Sequence, residues 1–271
     1  MTASQPSAIR RGGVSSLSSG NARAVFDRNL VAAGGTNLWV MISGFFEPLF
    51  YLLSLGIGLG GLIGAVEVDG RDIPYGAFIA PALLAVSAMN GAIADSTWNV
   101  FFKMHFMKTY DAMLATSLGP LDVALGEIGW ALFRGGVYAA AFLVVMQAFG
   151  LNLSWTAPLA IPVAVLIAFG FAAFGMGVTS YLRSFQQMEW VQFVLLPMFM
   201  LSGTFFPISQ YPDVVQWIVM ALPLWHGVEL IRGFTTGELD WWMLLHLGYF
   251  AAMVAVGIVF TTRRLRTLFL S

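Results

Sequence analysis

An all-α integral membrane fold is predicted by three observations. Six long apolar stretches run between Trp39 and Thr262. Hydrophobic residues make up 58% of the 271 and charged ones only 10%, whereas a soluble domain carries about a quarter charged. No segment between the stretches is large enough to form a soluble domain. A bilayer core about 30 Å thick takes roughly 20 apolar residues to cross as a helix. Lipid offers no partner for backbone N–H and C=O groups, so each stretch closes its own hydrogen bonds. Nothing in the chain alternates as the strands of a membrane barrel do.

The spans are predicted at Trp39 to Ala65, Tyr75 to Trp98, Trp130 to Phe149, Ala157 to Tyr181, Met188 to Phe206 and Trp241 to Thr262. Residues 1–20 are rich in Ser, Gly and Arg and lack a signal peptide's apolar core, which predicts a disordered cytoplasmic tail. Residues 21–271 form one transmembrane domain. Ten of the thirteen basic residues fall on one side: Arg10, Arg11, Arg23, Arg28, Lys103, Lys108, Arg183, Arg263, Arg264 and Arg266. The positive-inside rule makes that side cytoplasmic and places both termini there.

Three stretches outside the spans predict structure. Asn21 to Ala33 sets Val25, Phe26, Leu30 and Ala33 near one helical face, which suits a helix in the cytoplasmic interface or a basic flank that orients the first span. Between the second and third spans, Phe106, Tyr110, Met113 and Leu114 follow helical spacing, with Lys103, Lys108, Thr109 and Asp111 polar. Gly119-Pro120 stops that helix and starts the next. A short helix there suits either contact with a soluble partner or packing on the protein's own rim. On the outer side, Pro207, Pro212 and Pro223 cut Ser202 to Asp240 into pieces too short to span, which predicts a re-entrant or interfacial segment.

Several motifs exclude themselves. Gly56-Ile57-Gly58-Leu59-Gly60-Gly61 matches a dinucleotide fingerprint literally. That fingerprint needs a strand before it and a soluble helix after it; within an apolar span the glycines serve close packing or a bend. No phosphate-binding G-x-x-x-x-G-K-[ST] is present, so any ATP-driven process needs another chain. His105, His226 and His246 are scattered, cysteine is absent, and no metal site is expected. Nothing in the charge pattern points to nucleic acid.

Ionisable groups inside spans are costly unless paired or hydrated. Glu47, before the kinking Pro48, and Arg134 stand at depths that allow a pair across helices, serving as a structural clamp or in substrate gating. Asp95, Glu127 and Glu189 are placed at cytoplasmic span ends, where solvation makes them cheap. Glu229 and Arg232, three apart, predict a local helical pair.

Leu201-Ser202-Gly203-Thr204-Phe205-Phe206-Pro207 is followed by Leu222-Pro223-Leu224-Trp225-His226-Gly227-Val228-Glu229-Leu230-Ile231-Arg232. With Glu47-Pro48-Leu49 and Lys108 to Thr116, this order resembles the ABC-2 type permeases, the membrane subunits of bacterial ATP-binding-cassette exporters. The resemblance runs from Arg23 to Arg266 and is nearest to the nodulation protein J and daunorubicin-resistance branches. It implies a non-catalytic subunit in the bacterial inner membrane, paired with a second permease copy or a homologue. It also implies two ATPase subunits that carry the ATP and Mg, with no cofactor bound by this chain. A coupling helix that meets the ATPase is implied at Phe106, Lys108, Thr109, Tyr110, Asp111, Met113 and Leu114. An outer exit segment is implied at Phe206, Pro207, Pro223, His226, Glu229 and Arg232. The expected cargo is an amphiphilic drug or a lipid-linked or oligosaccharide molecule. A passive channel or secondary transporter is the rival.

Overall fold

The computed structural model describes residues 20–34, 46–68 and 70–270. The tail expected over residues 1–20, Gly20 excepted, and the predicted start of the first span before Phe46 lie outside them. The described chain is helical apart from one small hairpin. Helix α1, Ala22–Gly34, precedes α2, Phe46–Ile63. The hairpin pairs β1, Ala65–Val68, antiparallel with β2, Arg71–Pro74. Gly70, at φ 78°, supplies the left-handed turn residue. This hairpin escaped the sequence analysis because it is four residues a side.

Helix α3 runs unbroken over Tyr75–His105, 31 residues. At 1.5 Å per residue that is about 46 Å, longer than the apolar core of a bilayer. It is the buried axis of the bundle: Phe78, Ile79, Leu83, Leu84 and Met89 are fully enclosed. The short α4, Thr109–Leu114, leads to α5, Pro120–Ala148. Helix α6, Ala157–Thr179, packs on α3 and α5, and α10, Trp242–Leu270, packs on α6. Gly257 lets α10 approach α6, since a Cβ there would come within 2.9 Å of Ala173 and the backbone of Phe174.

Among the described residues, five helices are long and apolar enough to cross a membrane: α2, α3, α5, α6 and α10. The predicted span from Met188 to Phe206 is the exception. It folds as α7, Glu189–Leu201, only 13 residues long and so about 20 Å. The Ser202–Phe206 turn ends it, where Ser202 Oγ hydrogen-bonds back to the Met198 carbonyl at 2.5 Å. Beyond it, α8, Asp213–Ala221, and α9, Pro223–Thr236, meet at 86°. That bend is the broken arrangement the prolines predicted. Counted as one span, the pair brings the total to six. The chain is an all-α membrane protein with five to six candidate spans.

The glycine run of α2 serves the close packing expected of it. The helix widens to π geometry over Leu52–Leu59. Gly56 and Gly76 bring α2 against α3, a Cβ on Gly76 falling 3.5 Å from the Gly56 carbonyl oxygen.

Candidate functional site

Two polar regions sit on the half of the bundle that carries α4. The first is built where α1, α3 and α5 converge. Lys103 Nζ donates to Glu127 Oε2 at 2.6 Å and to Asn29 Oδ1 at 3.2 Å. Asn29 Nδ2 also donates to Glu127 Oε2, at 3.1 Å. Asp122 joins the starts of two helices: its carboxylate accepts from the Gly119 N–H at 2.9 Å and from the Asn21 N–H at 3.2 Å. Phe26 meets Trp130 and Phe133 edge-on at 6.0 and 5.9 Å, completing the seat of α1 on α5.

Helix α4 rests against this knot. Tyr110 is 1% and Met113 7% exposed. The Tyr110 hydroxyl and Glu127 Oε1 are both buried without a hydrogen-bond partner among the described residues. Burial first, and the Glu127 charge second, raise the Tyr110 phenol well above its usual 10.0. The residues expected to couple to an ATPase therefore divide. Tyr110 and Met113 turn inward and Leu114 is half-buried, whereas Lys108, Asp111 and Phe106 are exposed.

The predicted single face from Phe106 to Leu114 is interrupted. Lys108 takes a left-handed conformation at φ 47°, so α4 starts afresh at Thr109 and Phe106 belongs to the turn after α3. A non-glycine residue there costs about 1–2 kcal/mol, a local strain that helical spacing does not reveal.

The second region is a cavity of ≈ 400 Å³ walled by α2, α3, α5 and α7. Glu47 and Tyr51 come from α2, one turn apart; Ser87, Asn90, Gly91 and Ala94 from one face of α3; Arg134 and Tyr138 from α5; and Gln192 and Phe199 from α7. Glu47 and Arg134, expected to share a depth, both line it. The ion pair of Arg134 is made with Asp95, however, Nη2 to Oδ1 at 2.6 Å. Asp95 also accepts from Asn99 Nδ2 at 2.6 Å.

Two expectations change here. Asp95 and Glu127 are not solvated span-end carboxylates: each is 6% exposed, and each is held by a cation from another part of the chain. The reason is that α3 and α5 pack together where these carboxylates stand, and Lys103 and Arg134 come from the facing helix. Asn90, Ser87 and Gln192 went unnoticed because neutral polar residues are cheap in a span. Their spacing at 87, 90, 91 and 94 on one helical face was the signal available.

Of the residues expected at the outer exit, Pro223, His226, Glu229 and Arg232 stand on α9, and Phe206 and Pro207 lie before it. Arg232 Nη1 donates to Glu229 Oε1 at 2.6 Å, as the three-residue spacing predicted. Its Nη2 donates to the Gly203 carbonyl at 2.8 Å, and its guanidinium lies 4.1 Å from the Phe78 ring centroid. Arg232 thus ties α9 to the Ser202–Phe206 turn and to α3. His226 is buried, stacks on Tyr249 at 4.0 Å and meets His246, Nδ1 to Nδ1, at 2.6 Å. Pro223 opens α9, Pro207 is buried after the turn, and Phe206 stays exposed. No group of three or more metal-ligating side chains occurs among the described residues.

Comparison with known proteins adds family to this geometry. The family profile described as ABC-2 type transporter matches residues 21–235. Nodulation protein J of Rhizobium leguminosarum bv. viciae is 34% identical over 258 residues, 94% of this chain and 98% of the relative. Nodulation protein J of Sinorhizobium fredii is 37% identical over 211 residues, covering 77% of this chain and 79% of that one. The inner membrane transport permease YadH of Escherichia coli is 26% identical over 206 residues, covering 74% and 77%. With its apolar helices, this chain is a multi-pass bacterial membrane protein that belongs to the ABC-2 type transporter family.

Proposed function

We propose that this chain is the permease of an ATP-binding-cassette exporter, driven by two copies of a separate ATPase and paired with a second permease. Its cargo is an amphiphilic or lipid-linked molecule moved outward. The observation that carries this reading is α4. A two-turn helix is held on the bundle by buried Tyr110 and Met113, while Phe106, Lys108 and Asp111 beside it stand exposed. A helix so anchored transmits a push from a soluble partner to α3 and α5, because its base is the Lys103–Glu127–Asn29 knot.

In this scheme, ATP binding closes the partner ATPases and brings two α4 helices together, and the spans rock to open the outer side. The permease contributes differential affinity for cargo between the two states. The exit lies beside α8 and α9, and both termini face the cytoplasm. The family's transport role and the printed name of the Escherichia coli relative support this direction of thought.

The test is co-expression with a candidate ATP-binding-cassette ATPase from the same genome, followed by detergent co-purification. Phe106→Ala/Asp111→Ala is the variant of choice, since both side chains are exposed and leave the fold alone. The native chain is expected to retain the ATPase and the double variant to lose at least about tenfold of it, both eluting as single species. An ATPase retained equally by both moves the contact away from α4. No ATPase with the native chain favours a passive transporter.

A further inference from the structure

The charges around the cavity between α2, α3, α5 and α7 do not balance. Among the described residues, Arg134 is the only basic side chain in its wall, and Asp95 holds it at 2.6 Å. Glu47 in the same wall enters no ion pair among the described residues. Residues 35–45, which lead into α2, contain no basic side chain that would supply one. Glu47 is exposed in the single chain and lines the cavity, so a cation that enters there would balance its charge.

The surroundings of Glu47 suit an organic cation rather than a bare ion. Tyr51, one turn along α2, meets Phe199 of α7 edge-on at 6.1 Å. Ring faces attract cations, and Tyr51 is 41% exposed, which leaves ring surface accessible. Leu83, Val86, Leu195 and Leu196 supply apolar wall. The volume of ≈ 400 Å³ lies in the range of sites that take drug-sized ligands, about 300–1,000 Å³. A neutral polyol would satisfy the amides and hydroxyls but leave the carboxylate unmatched. An anion would be repelled by Glu47 and find Arg134 engaged.

We propose that this cavity is a loading site for cations with apolar bodies, with Glu47 as counter-charge and the Tyr51 and Phe199 rings as wall. Its α3 face ends at Ala94, next to Asp95, on the half of the bundle that carries α4. Cargo therefore enters from the side on which ATP would act. The assignment of cargo rests on the exporter reading; binding itself does not.

The experiment measures binding of tetraphenylphosphonium and of neutral triphenylphosphine oxide to the full chain, co-purified with its ATPase in lipid nanodiscs. The native chain is expected to bind the cation at least about tenfold more tightly than the neutral probe. Glu47→Gln should bind both alike, and Glu47→Asp should keep the preference. Equal binding of the two probes by the native chain, or a preference kept by Glu47→Gln, overturns the proposal. If Glu47→Gln does not fold, Ser87→Phe takes its place: filling the cavity must remove cation binding, and retained binding overturns the site. ATPase retained without cation preference sinks the site and leaves the exporter reading. Cation preference without ATPase does the reverse.

Discussion

Tyr110 buries a hydroxyl that has no hydrogen-bond partner among the described residues, as does Glu127 Oε1. Removing that hydroxyl while keeping the ring relieves an unmatched group, an effect of about 1–3 kcal/mol. Tyr110→Phe is therefore expected to melt at the native temperature or above it. A fall of several degrees would mean the hydroxyl is satisfied. Burial and Glu127 raise this phenol above 10.0, so the folded chain keeps a proton that the unfolded chain gives up. That contribution is complete below pH 10 and is lost as pH climbs toward the folded value. Above pH 10, native stability should decline more steeply than that of Tyr110→Phe in parallel melts. The same knot shows what spacing leaves out. Lys103 and Glu127 stand 24 residues apart and meet at 2.6 Å, a contact that depends on how α3 and α5 are rotated.

Helix α1 illustrates how an element is seated by a missing side chain. A Cβ on Gly126 would collide with Val25 and come within 2.7 Å of the Ala22 carbonyl oxygen. Backbone on both sides leaves little room to give. Gly126→Ala is expected to cost about 1–3 kcal/mol and to loosen α1 from α5. Trypsin should then cut faster after Arg23 and Arg28, both exposed, with α5 left intact. An unchanged cutting rate would show that α1 is not held there. Of the face read from Val25, Phe26, Leu30 and Ala33, Val25 is buried whereas Leu30 is 46% exposed, and Asn29 takes a buried place instead. Element length was likewise only partly legible. Met188 to Phe206 is mainly apolar, yet the helix stops at Leu201, and Gly203 beyond it turns left-handed at φ 68°. Hydropathy counts residues that lipid accepts, and it does not count those that stay helical.

Across the entire chain, the absence of cysteine offers a clean test of topology. Ser117, in the link between α4 and α5, and Ser209, before α8, are both exposed. A membrane-impermeant maleimide added to spheroplasts should label Ser209→Cys and spare Ser117→Cys until the membrane is opened. The reverse pattern would invert the orientation that the basic residues imply. That lipid is the solvent, that the elements are helices and that the outer prolines bend the chain all follow from composition and local order. Those properties depend on residues within one turn or one span of each other. The partner of Arg134 could not follow from them. Glu47 and Asp95 are both carboxylates at plausible depths, and α3 is apolar nearly all round, so its periodicity sets no rotation. Only the packing of α3 against α5 and α6 turned Asp95 toward Arg134, leaving Glu47 without an ion-pair partner among the described residues.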